Sequence, residues 1–490
     1  MGDLGCGTPA GFAALRGALE QAGYTEAAIA ARSGFASIFD YRTKPPSHAL
    51  PDPADALDVL IRLFLDSRPL PWETVRAHLP AEVFEGAGLL AGHPREESLC
   101  YAPVLLYPVA GLWIASDGAK SLVPGESGLR SDAVFPALSP QTRRFLACLP
   151  VTPCEDFLDL CSGTGVAALV AARDYAKRAW AADITPRAAM FADFNAQLNG
   201  LKNVGVVMGD LYGAVRGQTF DRIVAHPPYV PALERTHVFR DGGEDGEQIT
   251  RGILGGVADH LRPGGRLYLV AAGTDRKSGS LETRVREMLG PRHADFDLCI
   301  AAQEAFNPVE YFFQMAVNGP EPIENVPKRK ESFERLGVER LVLGAMLIER
   351  HRTESAPVTG RWQAGPVLQP SDLEWMLAQS RWSAGPADAD LWELRPAPHR
   401  ELKLRITNEL REGRWVTAEC RLEIRAEAVV RIKAPSWTGL FASAADGTRT
   451  VRTLFGALVE AKVLPEGGEA GYLDVVRQLV GSGVFSVPRG

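Results

Sequence analysis

A glycine-rich turn with acidic and small polar neighbours lies in the middle of the chain, where an apolar strand-like run meets a helical pattern. The run FLDL ends at Leu160, and the segment CSGTG at 161–165 leads into VAALVAA. Gly163 and Gly165 permit a tight backbone turn close to a ligand, because neither carries a side chain that would clash. The turn therefore predicts a cofactor site, and its predicted contacts are Asp159, Cys161, Ser162, Gly163 and Gly165.

Two further carboxylates stand at the ends of the next two strand-like runs. Asp183 ends AWAAD, and Asp210 ends GVVMGD. A carboxylate at the first position can accept both hydroxyls of a ribose, and one at the second can meet an adenine amino group. A single such aspartate is more often a turn or cap residue, but three strand-end acids in chain order with a glycine turn favour a nucleoside cofactor. Ile184 and Leu211, which follow these aspartates, are included in the predicted cofactor site.

The glycine turn alone also suits a nicotinamide cofactor. Nicotinamide-binding folds carry the fingerprint G-x-G-x-x-G at this place. In this chain Val166, Ala167 and Ala168 follow Gly165, so the fingerprint is absent. We therefore predict a nucleoside cofactor other than a nicotinamide dinucleotide.

The tetrapeptide His226-Pro227-Pro228-Tyr229 ends the fourth strand-like run, FDRIVA. Its two prolines fix φ and remove backbone donors, which leaves their carbonyls as acceptors for the N–H groups of a nitrogen nucleophile. The ring of Tyr229 can stack on a flat acceptor, and a neutral His226 can accept a proton. We predict that His226, Pro227 and Tyr229 are catalytic and that His226 also borders the cofactor. The rate should fall below roughly neutral pH, since a reference histidine titrates near about 6.5.

The segments that carry these residues alternate between strand-like and helical patterns from about residue 141 to 320. Such alternation predicts a mostly parallel, doubly wound sheet, which binds ligands at the carboxyl ends of its strands. Helical patterns such as VAALVAARDYA, AAMFADFNAQLNG and GILGGVADHLRP separate the earlier strands. Seven strands are predicted from the runs FLDLCSG, AWAADIT, GVVMGD, FDRIVAH, GGRLYLVAAG, ADFDLCIAA and FFQMAVNG.

With the cofactor turn and the Pro-Pro-Tyr motif together, residues 145–320 resemble class I S-adenosylmethionine-dependent methyltransferases of the Asn/Asp-Pro-Pro-Tyr/Phe type. That group includes glutamine N5-methyltransferases of release factors and ribosomal proteins, and also guanine-N2 and adenine-N6 methyltransferases. The loop DGGEDG at 241–246, with Arg251 and LRPGG at 261–265, is most similar to the glutamine branch. The resemblance implies an α/β Rossmann-like core, S-adenosyl-L-methionine as the cofactor, and methyl transfer to a nitrogen nucleophile.

The first residue of the catalytic motif departs from this family, which has Asn or Asp where this chain has His226. An imidazole suits an acceptor that benefits from a base, such as an amine, an imidazole, a hydroxyl or a modified peptide. We therefore expect transfer to a nitrogen or oxygen of a protein, peptide or peptide-derived substrate. Methylation of an RNA or DNA base is the alternative, and binding with a steep salt dependence would favour it. A non-catalytic cofactor sensor is a third class, against which the intact motifs argue.

Two zones flank the predicted core. Residues 1–140 show helical patterns followed by the strand-like CYAPVLLYPVAGLWIAS, which fits a winged-helix-like domain and a small helical domain equally well. After the charged linker VPKRKESFERLG, residues 323–490 predict an α+β domain. Its tail predicts helix, turn, helix, helix, which fits an ordinary helical cap and also resembles the peptide-recognition winged helices found beside peptide-modifying enzymes. The predicted domains are 1–140, 141–322 and 323–490.

Composition bounds the remaining possibilities. The chain has 490 residues, of which 46% are hydrophobic, and this is enough apolar material for several cores. Its formal net charge of −7 counts against a nucleic-acid partner. Its seven scattered cysteines form no Cys-x-x-Cys pair, and its nine histidines show no ligand spacing, so free thiols and no metal site are expected. Without a leader pattern or a long apolar run, we expect a cytoplasmic protein with no membrane partner.

Overall fold

The computed structural model describes residues 4–5, 7–42, 52–318, 323–383, 385 and 388–486. These residues divide into two compact units. The first unit comprises Met1–Arg292 and Phe306–Leu341, and the second comprises His293–Ala305 and Val342–Gly490. The predicted domain borders at 140 and 322 stay predictions. Within the described ranges, no helix is long and apolar enough to cross a membrane.

The first unit contains twelve helices and ten strands among its described residues. The helices are α1 (Pro9–Gln21), α2 (Glu26–Ser33), α3 (Ala56–Phe64), α4 (Trp72–His78), α5 (Ala81–Gly86), α6 (Pro140–Ala147), α7 (Val166–Asp174), α8 (Pro186–Leu198), α9 (Gln248–His260), α10 (Leu281–Met288), α11 (Pro308–Asn318) and α12 (Val326–Arg335). The strands are β1 (Leu70–Pro71), β2 (Ala91–Gly92), β3 (Leu99–Tyr101), β4 (Leu105–Val109), β5 (Leu112–Ser116), β6 (Cys154–Leu160), β7 (Ala176–Asp183), β8 (Val204–Met208), β9 (Phe220–Ala225) and β10 (Leu261–Arg276). Short 3₁₀ helices lie at Ile38–Arg42, Leu211–Val215, Gly290–Asp295 and Ile323–Asn325.

Five of these strands form the parallel sheet that carries the predicted site. Their order is β10-β9-β6-β7-β8, and each neighbouring pair is parallel. The register aligns Leu158 of β6 with Ile223 of β9 and with Trp180 of β7. The carboxyl ends of the strands therefore meet at one edge, which brings the segments after β6, β7, β8 and β9 together. These five predicted strands, and the helices α7, α8 and α9 between them, are confirmed.

The prediction of a seventh strand at FFQMAVNG is wrong, because residues 312–318 of this run lie within helix α11. Gly319, its last residue, lies outside the described residues. Its apolar residues satisfy a helical spacing as well as a strand-like one, and a short apolar run does not distinguish the two. Asn307 and Pro308 start the helix, and a proline is favourable at a first helical position. Phe312 is buried against Phe333 of α12, with ring centroids 4.8 Å apart. Packing of this helix pair decides the conformation of the segment.

The second unit contains the remaining strands and five helices among its described residues. The strands are β11 (Phe296–Phe306), β12 (Val338–Arg350, whose first residues belong to the first unit), β13 (Thr359–Gln363), β14 (Ala397–Pro398), β15 (Lys403–Arg411), β16 (Arg414–Arg425), β17 (Val429–Lys433) and β18 (Phe485–Ser486). The helices are α13 (Pro370–Ser383), α14 (Asp388–Glu393), α15 (Thr438–Ala444), α16 (Val451–Glu460) and α17 (Glu469–Gly481). The strand orders are β13-β11-β12, β14-β18 and β15-β16-β17. The predicted strand ADFDLCIAA is part of β11, and the tail has the three predicted helices.

In the first unit, side-chain amides of α8 complete the hydrogen bonding of strand β5. Asn195 is fully buried, accepts from the amide of Ala115 at 2.7 Å and donates to the carbonyl of Ala115 at 3.0 Å. One turn later, Asn199 makes the same two contacts with Trp113, at 3.0 and 2.7 Å. Asn195 also donates to the carbonyl of Thr164 in the glycine turn at 3.0 Å. The side-chain amide of Asn195 thus joins the β4–β5 hairpin to the glycine turn.

We predict that Asn195→Ala lowers the free energy of unfolding by at least about 2 kcal/mol, because it leaves buried backbone groups of Ala115 and Thr164 without partners. Chemical denaturation of the full chain measures this change. The matched control is Asn199→Ala, whose partners are closer to solvent and whose cost should be smaller, at about 1 kcal/mol. Equal costs for the two variants would contradict the role assigned to Asn195.

Candidate active site

A cavity of about 930 Å³ opens at the carboxyl edge of the five-stranded sheet. All but one of the site residues predicted from the sequence line it, namely Asp159, Cys161, Ser162, Gly163, Asp183, Ile184, Asp210, Leu211, His226, Pro227 and Tyr229. The predicted cofactor residues and the predicted catalytic residues therefore share a single space. The exception is Gly165, which is absent from the lining.

The glycine turn adopts left-handed backbone conformations at three positions. Cys161, Gly163 and Gly165 have φ values of 57°, 52° and 77°. A Cβ atom on Gly163 would meet only Val134, at 3.9 Å, so this residue leaves open space beside the cavity. A Cβ atom on Gly165 would approach the Cβ of Ala192 at 3.0 Å, so this glycine allows α7 to pack closely on α8. The two glycines therefore have different physical roles.

Two strand-end carboxylates are held by backbone N–H groups. Asp183 accepts from Gly163 at 2.9 Å and from Thr185 at 3.2 Å. Asp159 accepts from Ala168 at 3.3 Å. Burial raises the pKa of Asp183 and holds the pKa of Asp159 well above its usual range. Carboxylates in this setting favour a ligand that brings hydroxyl donors or positive charge.

Ser162 supplies a polar atom that the described residues leave without a partner. Its hydroxyl oxygen is buried, lines the cavity and makes no hydrogen bond within the described part of the chain. A buried hydroxyl without a partner is costly, and ligands commonly satisfy such groups. With the open space beside Gly163, this hydroxyl fits a polar ligand seated against the turn.

The imidazole of His226 lies between two aromatic rings. Its centroid is 5.3 Å from that of Phe145 in a stacked arrangement and 5.8 Å from that of Tyr229. Burial lowers the pKa of His226 to about 4, because the charged form loses hydration and gains no compensating partner. The imidazole is therefore neutral at and well below neutral pH. The pH below which the reaction rate is predicted to fall, the acid limb of the pH–rate profile, accordingly moves from near neutrality to near pH 4.

The acidic loop 241–247 packs directly behind the tetrapeptide His226-Pro227-Pro228-Tyr229. A Cβ atom on Gly242 would lie 2.6 Å from the carbonyl oxygen of Gly246 and 2.8 Å from that of Pro228. Gly246, with φ of 77°, similarly faces the carbonyl of Tyr229. Only glycine permits both approaches. The loop therefore supports the backbone of the catalytic segment.

Two carboxylates of this loop, those of Asp245 and Glu247, are buried among arginine side chains. Asp245 makes two hydrogen bonds with Arg251, at 2.8 and 3.0 Å, and one with Arg276 at 2.6 Å. Glu247 accepts from Arg284 at 2.5 Å and is 1% exposed. Arginine donors compensate the lost hydration of the acids. Among the described residues, no group of His, Cys, Asp or Glu is arranged to hold a metal ion.

Helix α12 closes over the segment that follows the tetrapeptide. Arg329 is buried, donates to the carbonyl of Pro231, and lies 5.6 Å above the ring of Phe312. Glu244 of the acidic loop accepts from Ser332 at 2.5 Å and pairs with Arg335. These contacts tie the catalytic segment, the acidic loop and α12 into one layer beside the cavity.

Aromatic residues that the sequence analysis missed form part of the cavity wall. Phe135 and Phe239 stack with centroids 5.1 Å apart and planes 12° apart, and both line the cavity, as does Phe145. Phe135 is distant in sequence from Phe239, and Phe145 is distant from His226, so no sequence spacing predicts that these rings are in contact. The one available signal for Phe145 is its place in a helix that begins at the capped Ser139-Pro140.

We predict that His226 titrates near pH 4 in the native protein and that Phe145→Ala raises its pKa toward the reference value of about 6.5, because water reaches one face of the ring. Nuclear magnetic resonance of labelled histidine rings measures both values, and His226→Gln assigns the signal. Phe145→Leu, which keeps the site apolar, should leave the pKa low. A wild-type pKa near 6.5 would contradict the assigned environment.

Comparison with known proteins agrees with this site. A family model described as methyltransferase small domain matches residues 133–290. The release factor glutamine methyltransferase of Moorella thermoacetica is 37% identical over 131 residues, covering 24% of this chain and 46% of that protein. The corresponding protein of Escherichia coli is 35% identical over 133 residues, covering 26% and 47%. The ribosomal protein uL3 glutamine methyltransferase of Bradyrhizobium diazoefficiens is 35% identical over 129 residues, covering 24% and 40%.

The chain thus spans somewhat less than half the length of these relatives. The matched segment includes strands β6–β10 and both the glycine turn and the tetrapeptide, so the similarity falls on the cavity itself. Over residues 133–290 this chain is therefore similar to the methyltransferase small domain family.

Proposed function

We propose that this chain is an S-adenosyl-L-methionine-dependent methyltransferase that acts on a nitrogen or oxygen nucleophile of a protein, peptide or peptide-derived substrate. The observation that carries the proposal is the single cavity lined both by the strand-end carboxylates and by His226-Pro227-Pro228-Tyr229. A transferase that moves a group between two bound molecules needs both sites in one enclosed space.

The residues at the glycine turn fit the proposed cofactor. Asp183 can accept the ribose hydroxyls, and Asp210, which is exposed at the start of a 3₁₀ helix, can meet the adenine edge. Ser162 offers its unsatisfied hydroxyl, and Gly163 leaves room for close approach. The thiol of Cys161 stays protonated, because burial holds its pKa well above its usual range. When bound, the cofactor supplies an electrophilic methyl group on a sulfonium.

The catalytic segment suits a cationic donor because its histidine is uncharged. A neutral His226 does not repel a sulfonium, whereas an imidazolium would. With a pKa of about 4, the imidazole is a weak base, so it holds an N–H or O–H of the acceptor by hydrogen bonding and takes the proton only as the nucleophile gains positive charge. Tyr229, tilted at 34° to this ring, offers a second surface against which the acceptor can lie.

The substrate class rests on the relatives and on the first motif residue. The relatives carry names that specify glutamine methylation of release factors and of a ribosomal protein. Their kinship favours a protein or peptide acceptor for this chain. The imidazole of His226 replaces the amide or carboxylate of the family motif and so favours an acceptor other than the glutamine amide.

A mass-spectrometric screen tests the proposed reaction. The chain is incubated with S-adenosyl-L-methionine and, in separate arms, a bacterial release factor, ribosomal protein uL3, peptide mixtures, or RNA and DNA. We expect a mass increase of one methyl group replacing a hydrogen on a protein or peptide, together with release of the demethylated cofactor. Methylation confined to RNA or DNA would overturn the substrate class, and no turnover in any arm would count against the activity.

We predict that Asp183→Ala weakens binding of S-adenosyl-L-methionine by about 1.5–3 kcal/mol, the usual worth of a hydrogen bond to a charged group. Isothermal titration calorimetry measures this change. The matched control is Asp174→Ala, at an exposed ion pair with Arg173 at the end of α7, and it should leave cofactor binding unchanged. Binding of NAD in place of S-adenosyl-L-methionine would overturn the cofactor assignment.

We predict that His226→Asn lowers kcat by at least about tenfold and removes the acid limb near pH 4, because general-base assistance is typically worth 10²–10⁴ in rate. The measurement is kcat against pH for both proteins on the acceptor identified by the screen. If the limb survives unchanged in the variant and the rate falls less than about tenfold, His226 shapes the cavity without handling the proton.

A further inference from the structure

Strand β15 in the second unit is an exposed sheet edge. Its nine residues, Lys403–Arg411, are all exposed, and in the described part of the chain β15 pairs with β16 alone. The pairing skips Ala418, so the extra residue of the bulge lies on β16 and β15 itself remains regular. A long regular edge presents unused N–H and C=O groups and is a template for another strand.

The same strand carries a row of apolar side chains that the described residues leave uncovered. Leu404, Ile406 and Leu410 alternate along one face, and they are 41%, 53% and 60% exposed. Opposite Leu410 on β16 lies Trp415, which is 74% exposed. Contiguous exposed apolar side chains of this size mark interaction surfaces. An edge and an apolar row on one strand point to a partner that adds a strand.

We propose that the partner is a second copy of this chain and that the two β15 strands pair antiparallel about a two-fold axis at Ile406. In this arrangement Ile406 faces its own copy, and Lys403 faces Glu409 of the second copy. Beyond the strand, Glu401 comes opposite Arg411. Every charged pair across the axis joins opposite charges, and the two-fold symmetry makes each pair occur twice. Such isologous contacts are the usual form of a two-fold interface.

Charge disfavours the other registers that pair a long stretch of β15. Only every second residue of an edge strand directs its backbone N–H and C=O groups toward the free edge. When two copies of β15 pair, such residues must face each other, so the two-fold axis passes through a residue and not between two residues. An axis at Arg405 would place this guanidinium beside its own copy. An axis at Thr407 would place Lys403 opposite Arg411, and an axis at Asn408 would place Arg405 opposite Arg411. Like charges directly opposite each other destabilise a strand pair. Among the registers that pair more than three residues of β15, only the one centred on Ile406 avoids such contacts.

The existing contacts of these charges do not compete strongly with the proposed pairing. Glu409 pairs with Arg411 on its own strand at 2.9 Å, and both side chains are more than half exposed. Ion pairs between exposed side chains are weak, so Glu409 can exchange this partner for a lysine across the axis. The interface therefore joins complementary charges on one face of the new strand pair and apolar side chains on the other.

Cysteine scanning tests the register. Only the residue on a two-fold axis faces its own copy, so Ile406→Cys in the full chain should form an intermolecular disulfide under mild oxidation. Arg405→Cys, Thr407→Cys and Asn408→Cys should form it far less, and the wild type controls for the native cysteines. Preferential crosslinking at 405, 407 or 408, or no crosslinking beyond the wild-type level at any position, would overturn the proposal.

Charge reversal tests the same interface in solution by sedimentation velocity. The wild type should dimerise, and Lys403→Glu or Glu409→Lys should each raise the dissociation constant by about tenfold, because two attractions become two repulsions. The double variant should restore dimerisation, and Glu466→Lys, at an exposed position between α16 and α17, should leave it unchanged. The proposal would be overturned by a monomeric wild type. It would also be overturned by a dimer that the single reversals do not weaken or that the double variant does not restore. Because β15 is exposed, thermal unfolding of each variant should remain close to that of the wild type.

Discussion

The buried amide of Asn195 is the contact on which the arrangement of the first unit depends. It satisfies both backbone groups of Ala115 in β5 and holds the carbonyl of Thr164 in the glycine turn. An unsatisfied buried backbone group costs about 1–3 kcal/mol, so the hairpin, the helix and the turn constrain one another. The apolar core follows the same path, since Phe12 of α1 packs edge-on against Phe194 of α8. The N-terminal helices and the glycine turn are therefore parts of one packed unit.

Buried acidic groups around the candidate active site serve two different purposes. Asp245 and Glu247 lie among guanidinium groups, which compensate their lost hydration and fix the loop behind the tetrapeptide. Asp159 and Asp183 are held by backbone N–H groups, and the described contacts show no guanidinium on either. The first pair is structural, and the second retains the capacity to bind a ligand. The number of acidic residues in a loop does not distinguish the structural role from the ligand-binding role, because the role depends on which groups contact each carboxylate.

The environment of His226 shows how packing tunes the chemistry of the cavity. The neighbouring rings of Phe145 and Tyr229 help to bury the imidazole, and the resulting fall in pKa keeps it neutral, as the proposed sulfonium donor requires. The same wall of rings, extended by Phe135 and Phe239, would give the proposed acceptor an apolar surface. A histidine in the place of the family's amide or carboxylate is therefore compatible with the proposed chemistry only because this wall surrounds it.

The sequence by itself determined the parallel core and the grouping of the candidate residues. Strand-end acids, a glycine turn and a Pro-Pro-Tyr segment each follow an apolar run, and the carboxyl ends of parallel strands meet at one edge, so Asp183, Asp210 and His226 had to lie near one another. Tertiary structure decided the rest. The helical state of 312–318 depends on packing against Phe333, and the low pKa of His226 depends on Phe145. Such long-range contacts leave no periodic trace in the chain, because their energies depend on burial and distance between segments far apart in sequence.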